Sequence, residues 1–176
     1  FDICPVNIVL NALANSRGKP FDANGTMARS GNADNGLLDQ LNNLSIYGGV
    51  ARPSLAREYL ERAFLPIVEN STRSIEDKLK TVVEHAALKI SSIINAKATN
   101  GRILVTGGGA KNGFLMERIS ELSDAEIVIP DVQIVDYKEA LIFAFLGVLR
   151  MRNETNVLLS VTGAERDSCS GKIDSV

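Results

Sequence analysis

The sequence is poor in several residue types that particular functions require. It has no tryptophan, one histidine and two cysteines among its 176 residues. A zinc site built from histidine and cysteine is therefore not expected, and no metal ligand is assigned. Cys4 and Cys169 are far apart in the chain. Free thiols of this kind are typical of proteins in the reducing cytoplasm, where we expect this chain to work.

Basic clusters and long apolar runs are also missing. Lysine and arginine are scattered, and the net charge is −2, so the chain lacks the positive patch that nucleic-acid backbones attract. The longest apolar runs, such as residues 140–149, are much shorter than the roughly 20 residues that span a bilayer. We therefore expect neither a nucleic acid nor a membrane as a partner.

A glycine-rich corner is the most informative feature that the sequence does contain. Residues 102–112 read RILVTGGGAKN, which predicts a buried parallel strand, a turn of three glycines and the start of a helix. Glycine lets backbone N–H groups approach a ligand, and such corners bind anions or ribose hydroxyls. The G-x-G-x-x-G and Walker patterns are both absent, so a purely structural turn remains an equal alternative at this point.

Apolar spacing predicts an α/β fold. It indicates a long helix over 75–96, capped by Ser74, in which His85 lies at the helix surface or boundary. The following segments alternate between strand and helix, and their predicted ranges are 103–106, 113–122, 126–129 and 137–151. No repeat or low-complexity linker interrupts the chain, so we predict a single domain over residues 1–176.

Two strands are too few to cover these helices, because an isolated pair of strands is marginally stable. The chain also begins with Phe1 rather than methionine. We therefore expect the sheet to be completed by residues upstream of Phe1, and we expect this chain to expose an apolar sheet edge or face.

Several segments together resemble the anhydro-N-acetylmuramic acid kinase family of the sugar kinase and actin superfamily. Residues 1–7, FDICPVN, resemble its Phe-Asp-x-Gly-Pro-x-Asn motif. Five further blocks follow in the family's order: GKPFD at 18–22 with Gly25, SLARE at 54–58, GGGAKN at 107–112, EALIFA at 139–144 and SVTGA at 160–164. The resemblance covers nearly the whole chain and corresponds to the C-terminal half of a family member.

The resemblance implies a fold and an activity. The fold is the incomplete second lobe of an actin-like ATPase (ribonuclease H-like) architecture, rich in helices and with a small parallel sheet. The activity uses ATP and Mg²⁺ to phosphorylate 1,6-anhydro-N-acetylmuramic acid at O6, while water opens the anhydro bridge during recycling of cell-wall sugar. The family's enzymes are homodimers.

The resemblance also assigns roles to residues of this sequence. Asp2 acts as the base on the attacking water, and a carboxylate at a strand end is chemically suited to that role. Asn7 and Glu139 bind the amino-sugar substrate. The residues implied to bind ATP are Gly107, Gly108, Gly109 and Asn112.

Two interpretations of this chain stay open. The Gly-Thr-Ser-x-Asp-Gly loop of the family's first lobe is absent from the sequence. We therefore expect the chain alone to be inactive, with ATP and Mg²⁺ both needing an N-terminal lobe. The alternative is a truncated, non-catalytic paralogue that binds a sugar, a nucleotide or a protein. Departures from the family at Cys4, Val6, Pro53 and Ala56 bear on ligand binding in either case.

Overall fold

The computed structural model describes residues 2–48, 55–98 and 100–174. The chain divides into two compact units, of which the first covers Phe1–Pro130 and the second Asp131–Val176. Whether the two units form the single domain expected over residues 1–176 stays a prediction.

Seven helices of the first unit, counted over the described residues, surround its core. They are α1 (Asn7–Asn15), α2 (Thr26–Ser30), α3 (Asn35–Asn42), α4 (Arg57–Tyr59), α5 (Leu65–Asn70), α6 (Ile75–Lys97) and α7 (Gly113–Leu122). A π-helical segment, Leu60–Phe64, joins α4 to α5, and short 3₁₀ turns occur at Ala23–Gly25, Ser45–Tyr47 and Gly108–Lys111.

The long helix α6 organises this core. The Ser74 side chain accepts a hydrogen bond from the N–H of Asp77 at 3.1 Å, which confirms the predicted cap. The apolar stripe of α6 is buried against α1, α2, α3 and α7. His85 lies on this stripe with no exposed surface, so its predicted place at the helix surface or boundary is wrong. The helical period brings position 85 to the same side as Val82 and Ala86, and that side is enclosed by other helices.

The small sheet has the predicted parallel arrangement. Strand β1 (Arg102–Leu104) pairs with β2 (Glu126–Val128), with Ile103 opposite Ile127. Each strand has three residues, one fewer than predicted: β1 begins one residue earlier and ends two residues earlier, and β2 ends one residue earlier. Ile103 and Ile127 pack against the core, whereas Leu104 is 60% exposed. One apolar strand residue is thus exposed, and an exposed apolar edge or face of the sheet stays a prediction.

The second unit consists of a long helix and a short C-terminal segment. Helix α8 (Val132–Met151) begins five residues before the predicted start at 137, and Asp131 is its N-cap residue. The chain then forms α9 (Leu159–Thr162), and an antiparallel bridge joins Val157 to Ser168. Within the described residues, no helix combines the length and the apolar character needed to cross a membrane.

Candidate functional site

The glycine corner leads directly from β1 to α7. After β1, Gly107 adopts a positive φ of 82°, a conformation that favours glycine, and the 3₁₀ turn Gly108–Lys111 follows. Asn112 then caps α7, because its Oδ1 accepts a hydrogen bond from the N–H of Leu115 at 3.1 Å. The sequence-predicted order of strand, glycine turn and helix is confirmed.

The start of α1 lies beside this glycine turn. A Cβ atom added at Gly108 would come within 3.1 Å of Asn7 Nδ2, and one added at Gly109 would lie 3.9 Å from Asn7 Oδ1. A side chain at position 108 would therefore press on the Asn7 amide. Because position 108 is glycine, the Asn7 amide can lie directly beside the backbone of the turn, next to a small open space.

That space is a cavity of about 310 Å³. Its lining residues come from α1, from the turn at 21–25 and from the glycine corner, and they are Asn7, Leu10, Asn11, Phe21, Asp22, Asn24, Gly108, Lys111 and Asn112. The structure thus brings together three residues that the sequence singled out, namely Asn7, Gly108 and Asn112. The volume lies at the lower end of the range for small-molecule pockets.

The turn at residues 21–25 is a wall of this cavity that the sequence indicated only as a turn. The Asp22 carboxylate accepts hydrogen bonds from the N–H groups of Met27 at 2.8 Å and Ala28 at 2.9 Å, which caps α2. Asn24 adopts a φ of 57°, and its Oδ1 accepts from the N–H of Gly113 at 3.0 Å. The turn is therefore fastened to the beginnings of two helices, α2 and α7.

Asp2 lies near the first unit's surface and is exposed. Its Oδ2 accepts a hydrogen bond from the backbone N–H of Leu55 at 2.7 Å, and Asp2 does not line the cavity. This bond holds one oxygen of the Asp2 carboxylate in place. Glu139 belongs to the second unit, where it is exposed on α8, two turns after the helix begins. A shared cleft for Asp2 and Glu139 stays a prediction.

Two departures from the family motif occupy apolar surroundings. Cys4 and Val6 are half-buried and pack against the core. Burial raises the pKa of the Cys4 thiol to about 12, although the nearby Lys89 opposes this shift. Cys4 is therefore a protonated packing residue. Ala56 precedes α4, and Pro53 lies outside the described residues.

The described residues do not bring three or more histidine, cysteine, aspartate or glutamate side chains together in a group that could hold a metal ion. Asp22 is the carboxylate among the cavity-lining residues, and backbone N–H groups already engage both of its oxygens. The described part of the chain therefore holds no preformed cluster of carboxylates for Mg²⁺, an ion that proteins commonly bind through one or two carboxylates together with substrate phosphates.

A parallel strand, a glycine turn and a capped helix, with a cavity beside the turn, form the kind of corner at which α/β proteins commonly bind small ligands. The family model for anhydro-N-acetylmuramic acid kinase matches residues 1–175 of this chain. The chain therefore belongs to the anhydro-N-acetylmuramic acid kinase family.

Individual relatives agree with this assignment. Anhydro-N-acetylmuramic acid kinase from Haemophilus influenzae is 33% identical, over 98% of this chain and 50% of the relative. The enzyme of the same name from Sulfurovum sp. is 31% identical, over 98% of this chain and 49% of the relative. The one from Saccharophagus degradans is 28% identical, again over 98% of this chain and 48% of the relative. The chain thus spans about half the length of the curated relatives it matches.

Proposed function

We propose that this chain is the C-terminal part of an ATP-dependent kinase that opens 1,6-anhydro-N-acetylmuramic acid and phosphorylates it at O6. The family match over residues 1–175 supports the proposal. The observation that carries it furthest is the cavity in which Asn7, from the first family motif, meets Gly108 and Asn112 from the glycine motif. These motifs are about a hundred residues apart in the sequence, and a common ligand explains why both line one space.

In the proposed reaction, water adds its hydroxyl group to C1 of the sugar and the C1–O6 bond breaks. O6 takes the γ-phosphoryl group, ADP leaves, and the proton of the water passes to a base. Asp2 is the proposed base. The hydrogen bond from Leu55 holds one carboxylate oxygen at 2.7 Å, and the second oxygen can accept the proton.

The other residues have binding roles in this proposal. Asn7 and Glu139 hold the amino-sugar through hydrogen bonds to its polar groups. Gly107 to Gly109 and Asn112 hold the nucleotide, because the positive φ of Gly107 and the absence of a side chain at Gly108 leave the turn's backbone accessible. Mg²⁺ would supply charge neutralisation at the phosphates.

We also propose that the 176-residue chain does not catalyse the reaction alone. Phosphoryl transfer depends on positioning both substrates and on compensating phosphate charge. The described residues hold no cluster of three metal-ligating side chains, and the sequence lacks the family's phosphate loop. The complete activity then requires the N-terminal half that the relatives possess.

A fusion experiment tests this proposal. The N-terminal half of the Haemophilus influenzae relative is joined to this chain, and ATP with the anhydro-sugar is followed by mass spectrometry. The expected product carries one added water and one added phosphoryl group, whereas the chain alone gives none. The relative's own two halves, joined at the same point, provide the control. An inactive fusion beside an active control would instead favour the non-catalytic binding module.

A further inference from the structure

Phe21 is an exposed aromatic residue on the wall of the cavity. Its surface is 56% exposed, and it lines the cavity together with Asn7, Asn11 and Gly108. Single exposed apolar residues are ordinary on protein surfaces. Phe21 differs because it lines a ligand-sized cavity and is absent from the hydrophobic core.

The backbone around Phe21 is held in place on its C-terminal side. The neighbouring Asp22 caps α2 through Met27 and Ala28, and Asn24 accepts the N–H of Gly113 at the start of α7. Gly25 also approaches α7 closely, since a Cβ added there would lie 2.3 Å from Asn112 Oδ1. These contacts fix the backbone next to Phe21 relative to the glycine corner, so little backbone ordering is needed when a ligand binds.

On the α1 side, the cavity is lined by polar amide side chains. Asn7 and Asn11 are one helical turn apart, and both line the space. An asparagine amide carries a donor and an acceptor side by side, which matches the N6 and N7 edge of adenine. An aromatic ring offers a stacking surface for the face of a base.

Apart from Asn7, which lies at the start of α1 and is assigned to the sugar, the residues that line the cavity suit a base better than a sugar. Sugar hydroxyls commonly donate hydrogen bonds to carboxylates, but the oxygens of Asp22, the carboxylate in the lining, are engaged by backbone N–H groups. The remaining polar lining side chains are amides and Lys111. The volume of about 310 Å³ favours a nucleoside portion over a nucleotide and a sugar together.

Resting on the proposed kinase function, we propose that Phe21 stacks on the adenine base of ATP and that Asn11 hydrogen-bonds to the edge of that base. The two residues then select the purine, and the glycine turn receives the part of the nucleotide beyond it. Neither residue takes part in the chemical step.

The test measures binding of ATP and CTP by isothermal titration calorimetry, using the fusion of this chain with the N-terminal half of the Haemophilus influenzae relative. Phe21→Ala is expected to weaken ATP binding ~10-fold, and Phe21→Tyr to restore it because the ring is kept. Asn11→Ala is expected to reduce the preference for ATP over CTP. Ile8→Ala is the matched control, since Ile8 is also 56% exposed, lies on α1 and does not line the cavity.

The outcomes separate this inference from the proposed function on which it rests. Equal ATP affinity in the parent fusion, Phe21→Ala and Ile8→Ala overturns the role of Phe21 and leaves the nucleotide site standing. Weaker binding of ATP and CTP by the same factor in Asn11→Ala overturns base selection by Asn11. A parent fusion that binds no ATP, beside a joined Haemophilus influenzae control that does, overturns both the nucleotide site and this inference. Binding of the anhydro-sugar that depends on Phe21 assigns the cavity to the sugar and refutes the adenine proposal.

Discussion

The buried histidine should make the stability of the first unit depend strongly on mildly acidic pH. His85 has no exposed surface, and neither ring nitrogen has a hydrogen-bond partner among the described residues. Its ring packs against Tyr47 and Phe64, with ring centroids 5.4 Å apart in both pairs. Burial, assisted by the positive charge of Lys89, lowers the pKa of His85 from 6.5 to about 4.

The sign of the effect follows from which state binds the proton. Below pH 6.5 the unfolded chain protonates this histidine, whereas the folded chain keeps it neutral until the pH approaches 4. The stability that comes from a neutral His85 is therefore complete above pH 6.5 and is lost as the pH falls towards 4. The difference in pKa corresponds to a loss of about 3 kcal/mol in the free energy of unfolding.

The substitution His85→Leu removes the titrating group and keeps an apolar side chain of similar size. We expect the variant to be at least as stable at pH 7, because two unpartnered buried nitrogens are removed. We also expect it to lose about 3 kcal/mol less than the parent chain between pH 7 and 4. Urea unfolding followed by circular dichroism gives both free energies. Carboxylates with lowered pKa values, such as Asp77 and Glu117, are shared by both chains, so the comparison isolates the histidine.

A direct measurement can refute this reasoning. His85 is the only histidine in the sequence, so its ring gives one unambiguous signal in an NMR titration. A folded-state titration near pH 6.5, or parallel stability curves for the parent chain and His85→Leu, would show that the ring is solvated or hydrogen-bonded.

Three further predictions concern the glycine turn, the base and the exposed helix. Gly25→Ala should destabilise the chain by more than 1 kcal/mol in urea unfolding, because Gly25 has a φ of 70° and a new Cβ would lie 2.5 Å from Phe114 Cβ. Gly18 has a similar φ but no neighbour within 4 Å, so Gly18→Ala is the control. An equal loss of stability in both variants would rule out the steric explanation. In the fused enzyme, Asp2→Asn should lower kcat by orders of magnitude while calorimetry still detects sugar binding; normal turnover would make Asp2 a turn residue only. Analytical ultracentrifugation of the chain should show self-association, and Phe143→Glu should reduce it because Phe143 on α8 is an apolar residue that is 72% exposed. A parent chain that stays monomeric at every concentration would contradict this expectation.

Local patterns in the sequence were sufficient for much of the secondary structure. The predicted range 113–122 is the observed helix α7, and Ser74 caps α6 as its spacing indicated. The two strands pair in parallel as expected. These features depend on residues within a few positions of each other, where backbone geometry and side-chain spacing decide the outcome. The resemblance of ordered motifs likewise led to the family that the comparison confirmed.

Tertiary structure alone decided which of these residues share a site. Asn7, Phe21 and Gly108 form one cavity because α1 and the turn at 21–25 pack against the glycine corner, and no local pattern encodes contacts over such separations. The predicted surface position of His85 was wrong for the same reason, because position 85 is buried only through the packing of other helices around α6. The pairing of Asp22 with the start of α2 also required the folded turn. The sequence determined the elements and the family, and packing between distant segments determined the cavity.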